Sequence, residues 1–188
     1  MTEPLVLASR SPQRKAILEQ LGIGFVVKPA NVDESTKGDP RSLVIENALK
    51  KARAVVGGLV LGADTEVHLD GRVFGKPGNE EEAQLLLRRL SGRTHEVWGG
   101  IALVTADGEE RTASAVTRVR FRSLEPPLLS WYLASGEWRD RAGGYAIQGR
   151  GAAFVESIDG DFWNVVGLPV PRLLDLAPGL LQTAQSHQ

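Results

Sequence analysis

The chain has no cysteine among its 188 residues. Disulfides, thiolate nucleophiles and zinc–thiolate sites are therefore excluded, and the sequence fits a reducing compartment. No run approaches the ~20 apolar residues of a membrane span. Met1-Thr2-Glu3-Pro4 lacks the basic start and apolar stretch of a secretory leader. A cytoplasmic protein without a membrane partner is the expectation. An excess of positive charge is missing too: 22 Lys and Arg stand against 23 Asp and Glu, a formal net charge of −1. That balance argues against general nucleic-acid binding, so any anionic ligand must be held by a local cluster of positive groups. What is present is ordinary for a soluble globular chain, with 42% hydrophobic and 24% charged residues. A chain of this length buries roughly 70% of its extended surface and needs no covalent staple.

Leu5-Val6-Leu7-Ala8 reads as a short buried strand, followed at once by a helix. Ser11 is placed to cap that helix, Pro12 suits its first position, and Gly22 suits a left-handed end. A second helix is expected from Asp39-Pro40 to about Val56, stopped by Gly57-Gly58. Leu59 to Leu69 reads as a long strand, turned at Asp70-Gly71 into Arg72 to Phe74. Asn79 caps a helix from Glu80 to Leu90, acidic at its start and basic at its end. Strands are expected at about Glu96–Thr105 and Arg111–Arg122, then a helix near Pro127–Ala134 and a Gly-rich loop through Gly151. A strand from Ala153 to Ile158 and a last helix after Pro169 complete the pattern. Hairpins and crossovers together imply an α/β fold with a mixed sheet. Residues 1–180 form the expected folded region, with 181–188 a frayed tail.

Five places are candidates for chemistry. The N-terminus of the first helix offers unpaired N–H groups, with Ser9 and Ser11 as donors and Arg10, Arg14 and Lys15 as charge. It reads equally as a capped helix with solvated basic residues, although Arg14 and Lys15 oppose the helix dipole there. In Gly62-Ala63-Asp64-Thr65-Glu66-Val67-His68, a carboxylate stands inside an apolar strand, which is costly unless it is paired or binds a cation. Alternation puts Asp64, Glu66 and His68 on one side, where Asp64 suits a divalent metal or water activation. For His68 the expectation is a solvated sheet face. Gly75-Lys76-Pro77 and Lys50-Lys51 are unremarkable alone, and His95 is expected to be structural. In the Gly-rich stretch from Arg141 to Gly151, the interleaved Tyr145 and Ile147 argue for order, and the amide of Gln148 can address a base edge.

Together these pieces resemble the Maf family of nucleotide pyrophosphatases. The match runs from Leu7 to about Leu174. It takes in Ser9-x-Ser11-Pro12-x-Arg14-Lys15, Val32-Asp33-Glu34-Ser35, Lys51-Ala52, Gly62-Ala63-Asp64-Thr65, Gly75-Lys76-Pro77, Leu90-Ser91-Gly92-x-x-His95-x-Val97, Ala142-Gly143-Gly144-Tyr145-x-Ile147-Gln148-Gly149 and Asn164-Val165-Val166-Gly167-Leu168-Pro169. The resemblance implies a two-lobed fold like that of inosine triphosphatases with a central cleft, and frequent homodimers. It implies hydrolysis of a nucleoside triphosphate to the monophosphate and pyrophosphate with a divalent cation. Mg²⁺ or Mn²⁺ suits a chain whose ligands are oxygens. Asp64 matches the proton acceptor and would activate water or hold the metal that does so, with Glu34 a further candidate ligand. Ser9, Arg14, Lys51 and Lys76 match the substrate-binding residues, and both lysines are expected to be exposed. Thr65 and Gln148 match positions tied to base selection.

The Asp-Thr pair with Tyr-x-Ile-Gln-Gly resembles the branch acting on dTTP and UTP. Gln13 departs from the family, which commonly has Arg there, so weaker discrimination among bases is expected. Glu66 stands where an apolar residue is usual. Two rivals oppose this reading. One is a non-enzymatic nucleotide-binding regulator of septum formation. The other is a nucleic-acid module using Arg118, Arg120 and Arg122 beside Trp131, which alternate as a solvated strand face would.

Overall fold

The computed structural model describes residues 4–181. Of the tail expected to fray from residue 181, all but Leu181 lies outside the described residues. In order the elements are β1 (Leu5–Leu7), α1 (Pro12–Gln20), β2 (Phe25–Val27), α2 (Pro40–Arg53), β3 (Leu59–Leu69), β4 (Arg72–Phe74) and α3 (Glu80–Leu90). There follow β5 (Thr94–Thr105), β6 (Glu110–Phe121), α4 (Pro126–Leu133), β7 (Val155–Asp159), α5 (Phe162–Val166) and α6 (Val170–Leu176).

The strands form a mixed sheet in the order β2-β1-β3-β5-β6-β7, with β4 paired to β3. β1 is flanked by parallel partners, Leu5 opposite both Phe25 and Leu59. β3–β4 and β6–β7 are antiparallel, with Val67 opposite Phe74 and Arg118 opposite Asp159. The α/β class with a mixed sheet is therefore as expected. The chain gathers into two compact units. The first holds the chain up to Asp64, Gly99–Ala115 and the chain from Gly167; the second holds Thr65–Trp98 and Val116–Val166.

In the first unit, α2 lies very close to the sheet. A Cβ on Gly62 of β3 would fall 2.0 Å from the Ala48 carbonyl oxygen, and one on Gly100 of β5 would fall 2.3 Å from that of Val44. Both obstructions are helix backbone, which cannot swing aside. Ala48 and Ala52 complete the contact, packed with Val6, Ala8, Val60 and Ala102. Small residues at these positions let the helix seat against the strands.

The second unit has a larger, aromatic core around Phe74, Leu87, Phe121, Tyr132, Tyr145 and Phe154. Phe121 meets Tyr145 edge-on at 4.8 Å, and Tyr132 meets Phe154 at 4.7 Å. His95 sits inside it, its Nε2 2.9 Å from the Tyr145 hydroxyl. Burial pushes the His95 pKa down to about 4, so the ring is neutral near pH 7. That is the structural role expected for it.

Several expectations need correction. α2 ends at Arg53, not Val56, because Gly57 must approach the Val6 side chain closely while Val56 stands 89% exposed. β2 and α5 have no counterpart in the sequence reading: three and five residues are too short to show a period. His68 is not on a solvated face. It is buried, with Nε2 2.8 Å from Glu66 Oε2. The arginines of β6 do mark an outer face, Arg120 lying 2.6 Å from Glu156 and Arg118 3.6 Å from Asp159.

Gly62→Ala and Gly100→Ala are each expected to destabilise the chain by ~1–3 kcal/mol or more through overpacking. Gly24→Ala, with nothing within 4 Å of its added Cβ, should stay within about 0.5 kcal/mol of the parent. Urea unfolding compares the three; equal midpoints would show that α2 does not need the two glycines.

Candidate active site

The first unit brings together Ser9, Arg14, Glu34, Lys51 and Asp64 out of the residues singled out from sequence. The cluster is built from α1 (Arg14), α2 (Lys51), β3 (Asp64) and the loops that carry Ser9 and Glu34. Ser11 caps α1, its Oγ accepting from the Arg14 N–H at 3.4 Å and donating to Gln13 Oε1 at 3.0 Å. Arg14 does not extend into solvent. Its Nη1 donates to Ser9 Oγ at 3.0 Å and its Nε to the Gly167 carbonyl at 2.9 Å. Burial lowers the Arg14 pKa from its ordinary value, and the charges of Asp64 and Glu34 act against that fall. An arginine starts so far above neutrality that it remains a cation. Lys15, by contrast, is exposed and pairs with Glu19 at 3.6 Å, outside the cluster.

β3 delivers Asp64, which is 4% exposed. Lys51 Nζ lies 2.7 Å from its Oδ1, 3.0 Å from Glu34 Oε1 and 3.3 Å from the Ala63 carbonyl oxygen. Three oxygens thus face the three donors of one ammonium. Lys51 is therefore buried and paired, not the exposed residue expected from sequence, because the seating of α2 on Gly62 draws it inward. The second Asp64 oxygen accepts from Asn47 Nδ2 at 3.1 Å. Asn47 escaped the sequence reading. Its signal was an amide, a poor helix former, in the buried stripe of α2 one turn before Lys51.

Thr65, Lys76 and Gln148 belong to the second unit. Thr65 is half-buried on β3, whereas Lys76 and Gln148 are exposed. The loop that carries Gln148 is ordered: Tyr145 and Ile147 are buried, and Gly143 takes a φ of 70° against Val67, where a side chain would be strained.

Among the described residues no group of three or more His, Cys, Asp or Glu side chains could hold a metal ion. Asp64 and Glu34 nevertheless place two carboxylate oxygens within 3.0 Å of one cationic nitrogen. That is a donor set Mg²⁺ accepts when phosphates and waters complete its coordination. The residues fit such an ion if Lys51 gives up the position between them.

Residues 4–179 match the model of the family described as Maf-like protein. The chain belongs to the Maf-like protein family. A dTTP/UTP pyrophosphatase of Symbiobacterium thermophilum is 49% identical, over 93% of this chain and 92% of its own. A dTTP/UTP pyrophosphatase of Thermococcus onnurineus is 49% identical, over 94% of this chain and 100% of its own. One of Moorella thermoacetica is also 49% identical, with 92% of each chain covered. The solved structure of a HAM1 protein from Coxiella burnetii superposes with a TM-score of 0.48 at 21% identity, over 64% of this chain and 73% of that one.

Lys51→Met should destabilise the fold by ~3–5 kcal/mol, the usual penalty for stranding one member of a buried ion pair. Adding Asp64→Asn should recover most of the loss, since the carboxylate that Lys51 leaves unpaired is then neutral. Denaturant midpoints of the two single variants and the double variant check this; a Lys51→Met chain as stable as the parent contradicts it.

Proposed function

We propose that the chain hydrolyses a nucleoside triphosphate, dTTP or UTP by preference, between its α- and β-phosphates. The observation that carries the reading is Asp64, a buried carboxylate with one oxygen on Lys51 and the other on Asn47, in the field of Arg14. The names and near-complete overlap of the relatives support the substrate class.

Phosphoanhydride cleavage needs a positioned water and positive charge over oxygens that gain electrons, with little covalent help from protein. Each Asp64 oxygen is engaged yet keeps a further lone pair. Asp64 takes a proton as a water oxygen bonds to the α-phosphorus. The bond from that phosphorus to the α–β bridging oxygen breaks, and pyrophosphate leaves with the electron pair. Arg14, Ser9 and Lys51 hold phosphate oxygens in this reading. Lys76 joins them on the strength of its motif match. Thr65 and Gln148 are assigned to base selection on the strength of their motif matches, and Gln13 relaxes the choice among bases. Asp64 and Glu34 would hold a Mg²⁺ or Mn²⁺ ion, which supplies charge neutralisation at the phosphates. A cytoplasmic setting and a homodimer complete the proposal. No helix among the described residues is long and apolar enough to cross a membrane. Catalysis is favoured over a non-enzymatic regulator because carboxylate, cations and hydroxyl converge in one cluster.

Incubation with dTTP and Mg²⁺ should give dTMP and pyrophosphate, and Asp64→Asn should lower turnover by ~10²–10⁴ while remaining folded. Chromatography of the products and kcat/KM across the common nucleotides check both points. A nucleoside diphosphate with orthophosphate, or near-parental turnover in Asp64→Asn, would overturn the reaction or the residue.

A further inference from the structure

Asn47 is fully buried in the middle of α2, where an amide is helix-neutral at best and packs poorly against apolar neighbours. Its polar atoms are nevertheless all engaged. Oδ1 accepts from the Ser35 N–H at 2.8 Å, while Nδ2 donates to the Ser35 carbonyl at 3.0 Å and to Asp64 Oδ2 at 3.1 Å. The network fixes which way the amide points. Turned over, it would set its oxygen against both the Asp64 carboxylate and the Ser35 carbonyl, and its NH₂ against an N–H. One side chain therefore ties the backbone beside Glu34 to the carboxylate of Asp64.

The neighbouring turn reinforces the tie. Ser35 Oγ accepts from Lys50 Nζ at 2.7 Å and donates to Glu46 Oε1 at 3.0 Å. Glu46 and Lys50 thus hold the Ser35 side chain from the outside, while Asn47 and Lys51 reach inward from the same helix to the Ser35 backbone, Glu34 and Asp64. A carboxylate held through one oxygen alone can rotate about its Cβ–Cγ bond. A second donor from a buried, doubly anchored amide stops that rotation.

We propose that Asn47 is a positioning residue of the hydrolysis: it sets the plane of the Asp64 carboxylate for proton transfer and holds Glu34 in register with it. The inference rests on the proposed reaction at Asp64. It assigns Asn47 no contact with the nucleotide, so its loss acts on turnover and not on binding.

Asn47→Asp tests it, because the shape and the acceptor for the Ser35 N–H are kept while the donor to Asp64 is lost. Asn47→Ser is the neutral companion, too short to reach. Pyrophosphate release from dTTP with Mg²⁺ is followed for the full-length chain, with circular dichroism as the folding check. Both variants should lose about 10–100-fold in kcat with KM within about threefold of the parent, as orienting partners of a functional ligand do. In an Asp64→Asn background the same substitutions should change the residual rate less than about threefold, since their target is already disabled. Parental kcat in a folded variant, a loss confined to KM, an undiminished loss in the Asp64→Asn background, or unfolding of both variants would each overturn the role. A parent chain that releases no pyrophosphate would instead overturn the reaction itself.

Discussion

Everything at the candidate site depends on how closely α2 approaches the sheet. The approach is permitted by hydrogen in place of a methyl group at Gly62 and Gly100, whose added Cβ atoms would meet helix carbonyl oxygens at 2.0 and 2.3 Å. Helix-to-sheet packing with ordinary side chains would keep the backbones further apart. Lys51 would then no longer reach 2.7 Å from Asp64, nor Asn47 3.1 Å from it. These two glycines therefore set the geometry of the carboxylate. Gly62 stands two residues before Asp64 on the same strand, so one short segment supplies both the approach and the functional group.

That approach creates an electrostatic obligation which the cluster meets from within. Asp64 and Glu34 bring two negative charges, Lys51 and Arg14 two positive ones, and the desolvated guanidinium is held charged partly by those carboxylates. A balanced set of this kind tolerates burial, whereas Asp64, Lys51 or Arg14 stranded alone would not. In the proposed reaction a triphosphate would compete with the carboxylates for Lys51, and a divalent cation would take the place that the lysine leaves between them.

Much of this was legible in the residues, and the failures have identifiable causes. Asp64 stands out because a carboxylate in an apolar strand demands a partner, and Ser9 and Arg14 because they flank a capped helix start. Lys51 drew notice through the resemblance, since a Lys-Lys pair on a helix reads as a solvated face. Its burial depends on a glycine eleven residues later. Asn47 was missed for the same reason: its partners, Ser35 and Asp64, are distant in sequence. His68 was misread because alternation tells which side of a strand a residue occupies, not whether that side is covered. Its pairing with Glu66 also gives a setting to the charged residue found where an apolar one is usual.

The central claim is that water attacks the α-phosphorus, activated at Asp64. Hydrolysis of dTTP in ¹⁸O-labelled water, with mass spectrometry of both products, tests it most directly. The expected result is one labelled oxygen in dTMP and none in pyrophosphate. Label in pyrophosphate, or in released orthophosphate, would place the attack at another phosphorus and contradict the assignment.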